Sequence, residues 1–178
     1  KLDEAIDLWE SVLLDPVSLS FDVLVDAIDG PGGVAGFMIS AATLGEVPYD
    51  TVRDAIIADS SADEFPLVNR LPDLSQLQTL GGTASGTIYL SQANAKALEM
   101  DLDDINWDYP TDTNGDDICW TVDCDGAFTI DDDIDLDQQW VTNLIVHEIG
   151  HALGFISTLS FGSSDLSTID MFRLEPGE

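Results

Sequence analysis

The chain has 178 residues, 44% of them hydrophobic and 8% aromatic, enough for one domain with a buried core. Five Lys and Arg stand against 35 Asp and Glu, a formal net charge of −30, which excludes nucleic acid as a partner and attraction to anionic membranes. No apolar run reaches the roughly 18 residues of a membrane span, whereas the charge favours solubility in salt and capture of divalent cations.

Leu2, Ile6, Trp9 and Leu13 fall at helical spacing over residues 2–14, and Asp15-Pro16 ends that helix because a residue before proline leaves the helical region. Residues 17–28 alternate Val17, Leu19, Phe21, Val23 and Val25 with Ser and Asp, the pattern of a half-buried strand. Gly30-Pro31-Gly32-Gly33 is turn chemistry, and 34–39 is apolar and short, a second strand. A helix is predicted over 49–58, then a polar connection with at most short helices over 59–85, a strand over 87–90 and a short helix over 92–100.

From 101 to 137 the character changes. Fourteen of these residues are Asp, and no Lys or Arg occurs between Lys96 and Arg173. A block of like charge stays loose unless neutralised, so 101–137 reads as an acidic insert or loop, although Trp107, Tyr109, Trp120 and Phe128 allow local packing. Residues 138–153 follow as the most strongly helical apolar segment. No linker splits the chain, so 1–178 reads as a single domain.

That last helix carries the chemistry. His147 and His151 are four apart, so they share one face with Cβ atoms about 5–6 Å apart. Two imidazole nitrogens then converge on one ion at about 2.0–2.1 Å each, as zinc requires. Glu148, the next residue round the helix, lies beside the ion without being a ligand and can take a proton from the attacking water. The chain's only two histidines both fall in this HExxH pattern. A helix face otherwise built of Val141, Leu144, Ile145, Ile149 and Leu153 gains nothing from two imidazoles and a carboxylate without a partner ion. Gly150 costs its helix about 1 kcal/mol relative to Ala, which suggests a close approach by another backbone there. Gly154 is placed to end the helix in a left-handed conformation.

The run HEIGHALGF resembles the active-site helix of zincin metallopeptidases, and in particular secreted bacterial enzymes with HExxHxxGF related to the leishmanolysin-like branch of metzincins. The stretches AIDLWESVLLDPVSLSFDV, IYLSQANAKAL and TIDMFRL are similar to the N-terminal part of such domains. The resemblance implies an α+β, zincin-like catalytic domain: a twisted mixed sheet with an N-terminal helix and the HExxH helix. It implies zinc held by His147 and His151, Glu148 as general base, and a protein or peptide substrate laid along an edge strand, taken as 87–90. The compact metzincin pattern would put a third histidine at position 157, which is Ser157. The third ligand therefore lies either on a C-terminal continuation chain or on a carboxylate such as Asp165, Asp170 or Glu175, with Asp170 the leading internal candidate. A role for Asp170 in holding Arg173 is the competing reading.

Asp112, Asn114 and Asp116 place oxygens at alternate positions, as in the first half of an EF-hand loop, but Asp117 and Asp123 replace the Gly and Glu that such a loop needs. This segment either binds Ca2+ or is a solvated acidic surface, with Asp123, Asp125 and Asp131 to Asp133 offering further oxygens. Cys119 and Cys124 close a small disulfide ring worth about 2 kcal/mol, or remain free thiols. Cys-x4-Cys without a second pair is a poor zinc site. The start at Lys1 fits a trimmed chain or a mature secreted one.

The reading these features support is a secreted, extracellular zinc-dependent endopeptidase domain. The alternative from another class is a calcium-stabilised extracellular structural or adhesive module built on a protease fold.

Overall fold

Helices and extended segments alternate along the chain in a computed structural model that describes residues 1–13, 15–26, 38–79, 86–109, 124–132, 137, 139–157 and 166–172. In order these form α1 (Leu2–Glu10), β1 (Phe21–Asp26), β2 (Met38–Ala42), β3 (Leu44–Pro48), α2 (Tyr49–Asp59), α3 (Phe65–Val68), α4 (Leu74–Thr79) and β4 (Thr87–Ser91). Then follow α5 (Gln92–Ala97), β5 (Trp107–Asp108), β6 (Gly126–Asp131), α6 (Gln139–Ala152) and β7 (Leu166–Ser167), with 3-10 turns at Leu102–Asp104 and Thr168–Phe172. Helices and mixed sheets together are compatible with the expected α+β class. No helix among the described residues is long and apolar enough to cross a membrane.

Helix boundaries follow local chemistry. Asp73 and Gln76 cap α4 reciprocally: the Gln76 N–H donates to Asp73 Oδ1 at 2.8 Å, and the Asp73 N–H donates to Gln76 Oε1 at 2.9 Å. Ser91 caps α5 by accepting the Asn94 N–H at 3.1 Å. At the other end of α1, the Ser11 hydroxyl donates to the Leu8 carbonyl at 2.7 Å, so the helix stops at Glu10 rather than running to residue 14.

The chain divides into two units. The first holds residues 1–43 and 109–153. Its sheet has the order β1-β6-β2, with β1 parallel and β2 antiparallel to the central β6. Asp125 fixes the start of the parallel pair. Its carboxylate accepts the Ser20 N–H at 2.7 Å while its own N–H donates to the Ser20 carbonyl at 2.8 Å, one residue ahead of the Phe21↔Gly126 pairing. Among the further oxygens offered to calcium, Asp125 is thus buried and engaged with backbone. Among its described residues the helices are α1 and α6, which pack on one another, and α6 also packs on β2 and β6.

Here the charge argument misleads. The segment 101–137 is not only an acidic loop: β6 runs through it as the middle strand, burying Ala127, Phe128 and Ile130. Strand pairing on both edges and an apolar Gly-Ala-Phe-Thr-Ile core outweigh the flanking aspartates.

The second unit holds residues 44–108 and 154–178. Its sheet has the order β5-β3-β4-β7, antiparallel except for β4 with β7. Val47, Tyr49, Val52, Ile56, Ile88, Leu90, Leu166 and Met171 form its core. Tyr49 is fully buried, donates its hydroxyl to the Pro72 carbonyl at 2.7 Å, and has its pKa pushed up to about 12 by burial. β3 is absent from the sequence reading, because Leu-Gly-Glu-Val-Pro is short and carries two strand-weakening residues. The strand expected as an edge, 87–90, lies inside β4 and is flanked by β3 and β7, so it is not an edge among the described residues.

Candidate metal centre

The apolar residues Val141, Ile145 and Ile149 recur at four-residue intervals and are buried, which gives α6 its orientation against the rest of the first unit. Leu153 donates its N–H to the Ile149 carbonyl at 2.8 Å, and Gly154 then takes φ +94°, the left-handed stop expected from the sequence. A side chain at Gly154 would also collide, since a Cβ there would lie 2.5 Å from Asn94 Oδ1 and 2.6 Å from Ser91 Oγ.

With α6 oriented in this way, His147 and His151 stack one turn apart. Their ring centroids are 4.4 Å apart and the planes meet at 77°, edge to face. His147 is exposed, His151 is partly buried, and Glu148 between them is buried at 8% exposure. Nδ1 of His151 is buried with no hydrogen-bond partner among the described residues. A buried polar nitrogen left in that state costs about 1–3 kcal/mol, unless a cation fixes the ring and its tautomer. The donor chemistry suits zinc: two imidazoles on one face of the helix with a carboxylate next to them in sequence. Among the described residues, however, no three His, Cys, Asp or Glu side chains form a group able to hold a metal.

Asp170, in the second unit, is fully buried and its carboxylate is hydrogen-bonded there. Its Oδ1 accepts the Ser157 hydroxyl at 2.6 Å, and its Oδ2 accepts the Ser167 N–H at 3.1 Å and the Ser167 hydroxyl at 2.8 Å. Ser157, at the position where the compact pattern has histidine, thus acts as a donor to that carboxylate. Asp112, Asn114, Asp116, Asp165, Arg173 and Glu175 lie outside the described residues, as does Cys119. Cys124 is buried and is not a free thiol.

The support beneath α6 was only half legible. The sequence points to a close approach by backbone at Gly150, but the neighbour is a side chain: a Cβ on Gly150 would lie 3.1 Å from Trp9 Cζ2. The Trp9 indole N–H donates to the Val146 carbonyl at 3.0 Å. The Thr142 hydroxyl donates to Glu4 Oε2 at 3.0 Å, and Glu4, held also by Lys1, has its pKa lowered chiefly by the Lys1 contact and then by Thr142. From sequence, Trp9 reads only as part of an apolar helix face.

No family model, curated protein or solved structure matches the chain.

Proposed function

We propose that the chain is a secreted zinc-dependent endopeptidase domain of zincin-like architecture. The observation that carries this reading is the pair of imidazoles stacked one turn apart on α6 with Glu148 buried between them. His147 and His151 would hold the ion, and the third protein ligand comes from outside the described residues or from a C-terminal continuation chain. Zinc, when bound, supplies Lewis acidity toward a peptide carbonyl and lowers the pKa of water from about 15.7 toward 7.

The chain's own residues do the remainder. Glu148 would accept the proton of the attacking water and return it to the leaving amine. The helix backbone holds Glu148 one residue round from His147, which limits the reorganisation needed before proton transfer. His147 is exposed, and a peptide substrate would approach from that side. The net charge of −30 and the non-free Cys124 support an extracellular setting. A calcium role for the acidic segment belongs to residues outside the described ones.

The experiment is metal analysis of zinc-replete protein together with cleavage of an unfolded protein. Glu148→Ala should retain stoichiometric zinc and lose activity by about 10²- to 10⁴-fold. Full activity in that variant would remove Glu148 as the base, and a folded protein free of zinc would remove the metal centre.

A further inference from the structure

Thr142, Val146 and Gly150 are spaced by four and form a single line along α6, one residue round from the line of His147 and His151. All three are met by α1. Glu4 accepts from Thr142, Trp9 donates to the carbonyl of Val146, and the Trp9 ring occupies the space above Gly150. The contacts run in the same order along both helices, so α1 lies beside α6 as a rail rather than crossing it at one point. The Val146 carbonyl belongs to the peptide unit whose N–H is that of His147, and Gly150 precedes His151. Trp9 therefore bonds the peptide before His147 and packs over the residue before His151.

We infer that Trp9 is a positioning residue for the metal-binding histidines, its indole N–H setting the rotation of α6 and its ring setting the distance between the two helices. The inference rests on the zinc reading only for its consequence in metal affinity; the placement of the rings is a property of the metal-free chain. A glycine at 150 leaves the indole room to sit this close to α6. A Cβ there would lie 3.1 Å from Trp9 Cζ2, so the indole would have to give by a few tenths of an ångström.

Histidine 15N–1H correlation spectra of the full chain test this, because the only signals arise from His147 and His151. They are recorded without metal and through a titration with zinc(II), alongside urea unfolding. Trp9→Phe keeps a ring above Gly150 and removes the N–H. It should shift both imidazole signal sets in the metal-free protein and weaken zinc binding about tenfold, as loss of an outer-sphere support does. Trp9→Ala should do more, and where it fails to fold, Trp9→Phe decides alone. Leu8→Ala, on the exposed side of α1 at 52% exposure, should leave the spectra as they are. A merely structural role for Trp9 would lower the urea midpoint while the imidazole signals of the folded Trp9→Phe protein coincide with wild type, and that result overturns the inference. A wild-type chain whose imidazoles ignore zinc overturns the zinc reading instead, with the metal-free comparison still deciding the role of Trp9.

Discussion

The indole of Trp9 stands where a side chain on Gly150 would stand, with Cζ2 3.1 Å from the position of the missing Cβ. A glycine that weakens a helix by about 1 kcal/mol is here the socket for the neighbouring helix. Gly150→Val should therefore destabilise the protein by about 1–3 kcal/mol through overpacking, despite removing the glycine. Urea unfolding measures it; a stability equal to or above wild type would mean that the indole has room to retreat.

The histidine pair predicts linkage between metal and stability. Zinc at 100 times its dissociation constant should raise the unfolding free energy of the wild-type chain by about 2.7 kcal/mol. His147→Ala, which leaves a single imidazole, should lose that increment. Thermal melts with zinc and with a chelator make the comparison, and superimposable wild-type melts would exclude a shared ion.

Asp170 separates structure from ligation. Asp170→Asn keeps the shape but replaces one acceptor with an N–H2 donor facing the hydroxyls of Ser157 and Ser167. The expected result is a loss of about 1–3 kcal/mol in stability with zinc affinity unchanged. A large fall in zinc affinity at equal stability would restore Asp170 as a ligand.

Gly154 is constrained twice, by φ +94° and by Asn94 and Ser91 within 2.6 Å of a built Cβ. Gly154→Ala should cost about 2–4 kcal/mol, combining left-handed strain with overpacking. Chemical denaturation gives the value, and a cost under 1 kcal/mol would mean that α6 can end another way.

The exposed caps predict acid sensitivity. Asp73 is held below its ordinary value of 3.8, first by the Ser75 hydroxyl and then by the Gln76 N–H, and Glu64 is held below its ordinary value by Ser61. Because these pKa values are lower in the folded state, their stabilisation is full above the ordinary value and is lost as pH falls through the folded one. Asp73→Asn still caps without titrating, so its melting temperature should fall less than that of wild type on the acid side of pH 4. Parallel curves would assign the cap no role in acid unfolding.

Much of this protein is local, and what is local was legible. Spacing by four puts His147 and His151 on one face of α6 whatever surrounds them, and the Gly154 stop and the helix over 49–58 follow from the same short-range rules. The sequence could also place Glu148 next to the pair, because helical geometry alone puts it there. What tertiary structure decided is where distant segments meet. β6 emerged from an acidic stretch because two strands pair with it, and Asp170 went to Ser157 and Ser167 because a turn brought their hydroxyls within reach. Trp9 became the support of α6 across 137 positions of chain, a contact that no periodicity in either helix encodes. Periodicity fixes which face a side chain occupies; only packing between elements chooses the partner that meets it.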